Sequence, residues 1–179
     1  MVKIVQQKDP VLRKKARILT AKEISSDKIK KIIADMKEAL GSCDDGIAIA
    51  APQLGESIRL FVVSPKAFEI GRPKNAKTEK PEIHKEHLVC INPEIIKRSS
   101  KKIFFEEGCL SIRWLYGKIK RHSNVTLTAL DENGNRFIRG AGGVLAEIFQ
   151  HETDHLDGVL FTDTATDVIS LPPEKQNKK

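Results

Sequence analysis

The 179-residue sequence carries 31 lysines and arginines against 24 aspartates and glutamates, a formal net charge of +7, with 40% apolar and 31% charged residues. That length suits one compact domain with its own core, no apolar run nears the ~18 residues of a membrane span, and three cysteines are too sparse and odd a set for a disulfide framework. The N-terminal stretch lacks an apolar core segment, so no secretory signal is visible, and the expected compartment is a cytoplasm of bacterial type, or an organelle if a presequence has been removed.

The charge favours polyanions such as ribosomal RNA only weakly. The basic clusters (Arg13-Lys14-Lys15, Lys97-Arg98, Lys101-Lys102 and the run from Lys118 to Arg121) have no interleaved aromatics. They read as solvated faces rather than a stacking platform for single strands.

Along the chain, Ile29, Ile32, Ile33, Met36, Ala39 and Leu40 recur at three-and-four spacing, which predicts an amphipathic helix over Ser26 to Leu40 with Gly41 closing it. Arg59 to Ser64 is a short apolar run ended by Pro65 and predicts a buried strand. Gly71 to His87 is polar and lysine-rich, a surface loop in which His84 and His87 are loop histidines. Strands follow at Leu88 to Ile96, Lys102 to Phe105 and Asn124 to Leu130, the last turning Val125, Leu127 and Ala129 inward and its threonines outward. Asp131 to Gly134 ends in Asn-Gly, the strongest short hairpin signal, and predicts a return strand at Asn135 to Arg139. Ala141-Gly142-Gly143 is expected to break the sheet before a largely buried helix, Val144 to Leu156. The lysine-rich end is expected to be disordered. The domain is thus expected over residues 1–164 with a short tail over 165–179, in an α+β fold of short antiparallel or mixed strands packed around a central, buried helix.

That helix carries the chemistry. His151 and His155 are one turn apart, so both imidazoles can reach one ion while Glu152 stands beside it to activate water. Two histidines and a carboxylate inside an apolar helix would be costly without a partner, which favours a metal over a hydrogen-bonded pair. Familiar protease closures fail: residue 161, where a third histidine would stand, is Phe, and the only later glutamate is Glu174 in the tail. Cys109, in Glu106-Glu107-Gly108-Cys109-Leu110-Ser111, is the natural third ligand, while Cys43 and Cys90 read as small buried hydrophobes. A Cys/His/His set leaves a position open for water, as catalytic sites do. Its donors suit ferrous iron, zinc, cobalt or nickel, without choosing among them. A third segment, Gly46 to Gly55, is built of small residues up to Gln53, whose amide can donate to a polarised carbonyl oxygen.

Together Gly46 to Gln53, Glu107 to Ser111 and His151 to His155 resemble, in order, the three motifs of the peptide deformylases, GxGxAAxQ, EGCLS and HExDH. The likeness extends to Asp9 through Ala16 and to Gln150, and most of the chain, roughly residues 3 to 163, follows that layout. The resemblance implies removal of the N-formyl group from the initiator methionine of nascent polypeptides, releasing formate. It implies one divalent ion per chain on Cys109, His151 and His155, natively Fe(II) and replaceable by zinc, nickel or cobalt. It also implies Glu152 as the base that takes a proton from the attacking water and later protonates the leaving amine, with the Gln53 amide and the Leu110 N–H holding the formyl oxygen. Peptide backbone is implied to pair with Gly46-Ile47-Ala48 and with Glu107-Gly108 in the manner of an added strand. Partners on this reading are N-formyl-methionine nascent peptides and a transient ribosome contact, with no specific DNA, no membrane and a monomeric protein.

The chain departs from the family in three places. Ala48 stands where relatives usually have glycine, and Ile112-Arg113-Trp114-Leu115-Tyr116-Gly117 replaces a run that often holds a Pro-Gly pair. Trp114 and Tyr116, the only Trp and Tyr, read either as a lip over the substrate or as core. Glu147, one turn before His151, is expected to line the methionine pocket and alter its preference, against the blander reading of a flank residue. Two other functions stay open: a different metallohydrolase, against which the missing third histidine counts, and a deformylase-like binder without turnover, against which Glu152 and Gln53 count.

Overall fold

The computed structural model describes residues 2–70 and 86–172. Eight strands form two antiparallel sheets: β1 (Ala48–Ala50), β2 (Leu60–Val63), β3 (Leu88–Arg98), β6 (Asn124–Leu130) and β7 (Arg136–Gly142) make one in the order β1-β2-β3-β6-β7, and β4 (Lys102–Cys109), β5 (Ile112–His122) and β8 (Thr166–Ser170) make the other in the order β4-β5-β8. Three helices complete the fold: the short α1 (Ala21–Ile24), then α2 (Asp27–Gly41) and α3 (Gly143–Leu156). This is an α+β arrangement around a buried helix, as expected, and its ladders are antiparallel throughout; the one parallel pairing is the isolated bridge between Arg17 and Ile58.

The larger sheet is covered on both faces. In β2 all four residues are buried, and their alternation splits them: Leu60 and Val62 join Ile29, Ile33 and Met36 of α2 in one cluster, while Phe61 and Val63 join Ile148 and Phe149 of α3 in another. Two-sided burial is why the run has no polar alternation. The turn into α2 is set by Ser26, which accepts from the Ile29 N–H, and α1 begins with a capping box between Thr20 and Glu23. The smaller sheet lies over a third cluster of Leu12, Ile112, Ile119, Leu160 and Phe161.

The structure moves several boundaries. β7 does not stop at Ala141-Gly142-Gly143; Gly142 still pairs with Asn124 before α3 starts. The glycine there permits closeness, since a Cβ on Gly142 would sit 2.7 Å from Asn124 Oδ1. Thr128, expected to face outward, is buried, and its hydroxyl donates to Phe137 O and accepts from Arg136 Nε. Beyond residue 164, where a tail was expected, Thr166–Ser170 pairs with β5; residues 173–179, expected to be disordered, and most of the expected loop over 71–87, His84 included, lie outside the described residues.

After α3 the chain reverses at Gly158, with φ of +76° and a Cβ position only 2.7 Å from the Arg13 carbonyl oxygen. Gly158→Ala should therefore cost about 1–3 kcal/mol of stability through strain and that clash, read as a lower urea midpoint at unchanged slope.

Candidate metal centre

α3 reaches the centre of the molecule with its last two turns almost wholly enclosed: His151, Glu152, Thr153 and His155 are all buried. The helix is clamped to β5 by polar side chains. Gln150 donates to His122 O at 3.0 Å and accepts from His122 N at 3.1 Å, and Asp154 takes Arg121 Nη1 at 2.8 Å. Cys109 ends β4 just where the ladder to β5 breaks register, which turns its thiol toward α3. One donor atom each of Cys109, His151 and His155 falls within 4.8 Å of the others.

The buried Glu107 carboxylate orients this set. It receives both Nε and Nη2 of Arg121, the latter at 2.9 Å, and its Oε2 lies 2.8 Å from His151 Nδ1. Burial alone would push the Glu107 pKa up, but Arg121 and His151 outweigh it and hold Glu107 below the ordinary carboxylate range. With Nδ1 engaged by Glu107, His151 is left with Nε2 as its free ring atom toward Cys109, the tautomer a metal ligand needs. His155 Nε2 is 3.3 Å from Cys109 Sγ, and its Nδ1 is buried with no partner. Burial, then the neighbouring His151 and Arg121, drives the His155 pKa well below its usual value. His155 is therefore a neutral imidazole, ready as a ligand.

A divalent ion fits these residues. One thiol and two imidazoles converge, His155 neutral and His151 held, against the effect of burial, toward its protonated form by Cys109 and Glu107, and beside them Glu152 Oε2 is buried without a hydrogen-bond partner. Such an orphaned carboxylate oxygen is costly unless something polar meets it in the working state. Burial foremost, with help from Glu107, raises the Glu152 pKa to about 7. The place of a third histidine is filled by Phe161, a buried residue whose ring stacks at 27° and 6.4 Å against His151.

The centre opens into a cavity of about 330 Å³. One wall carries Ile47 and Ala48, another Glu106 and Gly108, a third Val144, Glu147 and Ile148, and Arg113, Trp114 and Tyr116 form its rim. Gln53 Oε1 accepts the Ala50 N–H at 2.8 Å, which turns its amide nitrogen to Ser111 Oγ at 3.2 Å and to Cys109 Sγ at 3.5 Å. Leu110 lines the same space, and among the described residues its N–H has no backbone acceptor. Of the expected contacts, Ile47, Ala48, Gly108 and Glu147 line the cavity, whereas Gly46 packs behind it against Cys43 and Glu107 spends its carboxylate on His151 and Arg121. Glu147 is pushed to a pKa of about 7, mostly by burial and next by the charge of Glu107. His87 is not in the wall, Cys90 is fully buried, and Cys43 accepts from Arg113 Nη2 at 3.3 Å.

Arg121 and Asp154 were not singled out from sequence. Arg121 belonged to a run read as solvated, yet it is only 7% exposed. The signal was its phase: Gly117, Ile119 and Arg121 share the inward face of β5.

The polypeptide deformylase family model matches residues 1–169. Peptide deformylase 2 of Clostridium acetobutylicum is 39% identical over 161 residues, covering 90% of this chain and 93% of that protein. The chloroplastic/mitochondrial peptide deformylase 1A of Arabidopsis thaliana is also 39% identical over 161 residues, covering 89% of this chain but 60% of its own length. Among solved structures, the peptide deformylase of Thermotoga maritima superposes with a TM-score of 0.77 at 32% identity, covering 93% of this chain and 98% of that one. A class I type b peptide deformylase from Acinetobacter baumannii, solved with Met-Ala-Ser bound, gives 0.76 at 29% identity over 91% of this chain and 97% of that one.

Removing one partner of a buried, bidentate ion pair leaves the other charge stranded. Arg121→Met should cost about 3–5 kcal/mol of stability, measured by urea unfolding, and should weaken metal retention because Glu107 loses its hold on His151.

Proposed function

The chain belongs to the peptide deformylase family, metal-dependent hydrolases that remove the N-formyl group from the initiator methionine of nascent polypeptides and release formate, and we propose that Cys109, His151 and His155 hold its ion and that Glu152 moves the protons. The observation that carries this assignment is the buried, unpartnered Glu152 oxygen beside three convergent donors at the floor of the cavity. When bound, a divalent ion on a thiolate and two imidazoles supplies Lewis acidity that activates water and polarises a carbonyl. The mixed sulfur and nitrogen donors accept Fe(II), zinc, nickel or cobalt, and it is family membership that supports Fe(II) as the native ion with the others as substitutes.

The residues divide the remaining work. Glu152, with a pKa raised to about 7 by burial, takes a proton from the water that attacks the formyl carbon. As the C–N bond breaks, Glu152 gives that proton to the leaving nitrogen, so formate and a free amine result. Gln53 Nε2 and the Leu110 N–H donate to the oxygen that gains charge on the formyl group. Gln53 is fixed beforehand by the Ala50 N–H, so little reorganisation of its amide is needed.

The cavity lies between two open sheet edges. β1 ends the larger sheet and β4 ends the smaller one, and each has a neighbour on one side only. A peptide laid between them pairs as an added strand with Ile47-Ala48 and with the Glu107-Gly108 backbone, Gly46 holding the turn behind. Glu147 stands with Val144 and Ile148 against the methionine side chain and tunes its fit. The net charge of +7 supports a transient contact with ribosomal RNA. Bacterial and organellar relatives support a cytoplasm or an organelle as the compartment, the catalytic domain running over residues 1–164 and its C-terminal strand. Among the described residues no helix is long and apolar enough to cross a membrane.

Protein loaded anaerobically with Fe(II) should release formate from formyl-Met-Ala-Ser. Glu152→Ala should retain one ion per chain yet lose about 10²- to 10⁴-fold in kcat; stoichiometric metal with no formate from the wild type would overturn the assignment. Glu147 gives a second test. Its carboxyl is neutral below a pH of about 7 and charged above it, so the KM for a formyl-methionyl peptide should climb as pH rises through that value, and stay level in Glu147→Ile.

A further inference from the structure

Trp114 holds a backbone conformation its side chain disfavours. Its φ is +66°. The other described non-glycine residues at positive φ are Asn92 and Asp167, whose short polar side chains tolerate the left-handed region; a bulky ring does not. Strain of this kind survives where the surroundings over-determine it, and it gathers at ligand sites.

The surroundings here do so from two sides. The Trp114 carbonyl accepts the Leu171 N–H at 2.7 Å, from the chain just past β8. The preceding Arg113 reaches Asp45 Oδ2 at 2.7 Å and Cys43 Sγ at 3.3 Å, both in the connection between α2 and β1. The guanidinium then lies 5.5 Å from the indole centroid. Held this way, the only tryptophan of the chain remains 38% exposed at the cavity rim instead of joining a core. Both burial and backbone ease are given up to keep an indole in the mouth of the substrate cavity.

We propose that Trp114, steadied by Arg113, is a specificity residue whose indole receives the side chain of a residue following formyl-methionine and favours large apolar or aromatic side chains there. This rests on the deformylase reading. Arg113 already occupies a cation's place over the ring, which argues against lysine or arginine as the favoured partner. Leu115, Tyr116 and Ile70 beside it supply apolar wall.

The test compares kcat/KM for formyl-Met-Phe-Ser, formyl-Met-Ala-Phe and formyl-Met-Ala-Ser in the Fe(II) enzyme and in Trp114→Gly. The wild type should prefer one of the phenylalanine peptides by about three- to tenfold, the worth of an aromatic pair. In Trp114→Gly that ratio should fall to near one while Tm rises, because glycine relaxes the strained φ. Equal use of all three peptides by the wild type, or a ratio unchanged in the variant, would overturn the proposal. Loss of formate from every peptide would instead remove the deformylase reading and this inference with it. As the sole tryptophan, residue 114 also reports directly: its emission should shift on saturation with the deformylated product of the preferred phenylalanine peptide, and no shift at concentrations that inhibit turnover would count against the proposal.

Discussion

Everything at the centre depends on one buried carboxylate. Glu107 is 1% exposed and would be expensive there alone, yet it joins three elements at once: it sits on β4, receives Arg121 of β5, and holds His151 of α3. Arg121 in turn reaches Asp154 on the same helix as His151, one residue before His155. Such pairs seldom add net stability over a well-packed apolar core. What this one supplies is position, since it fixes how deep α3 lies against the smaller sheet and which nitrogen of His151 faces the site.

The charges at the site are arranged in two layers. Arg121 and Glu107 satisfy one another in the outer layer, and Gln53 and Gln150 have their amide oxygens engaged by backbone N–H groups. The inner layer is left incomplete: Glu152 Oε2 and His155 Nδ1 lack partners, and Cys109 meets only ring and amide nitrogens. Among the described residues these two atoms are the buried side-chain groups left without a partner, so the desolvation cost is concentrated beside the three convergent donors.

Much of this was legible from the residues, and the reason differs by element. α2 could be read because its six buried apolar positions follow a helical period, and β6 and β7 because Asn133-Gly134 marks their turn. The convergence of Cys109, His151 and His155 was legible because metal chemistry restricts residue type and spacing within one helix, with Cys109 left after the other closures failed. β5 was hidden by its lysines and its glycine, which mask an alternation that puts Ile119 and Arg121 inward. β8 is exposed at all five positions, so its strand comes from backbone pairing with β5 and no side-chain pattern announces it. The Glu107–Arg121 pair spans separate strands, and the strain at Trp114 depends on contacts with Cys43, Asp45 and Leu171 that lie far away in the chain.

The facing edges of β1 and β4 bear on how one enzyme can serve a whole proteome. Hydrogen bonds offered by a strand edge read main chain, which is nearly the same in every polypeptide, so this part of recognition is indifferent to gene sequence and leaves side-chain preference to the cavity wall and rim. The exception is proline, which has no N–H to offer and resists the extended register of its neighbour. On the proposed strand pairing, start sites followed by proline would keep their formyl group longer, and the geometry of two sheet edges would appear in the cell as a delay in the maturation of one class of N-termini.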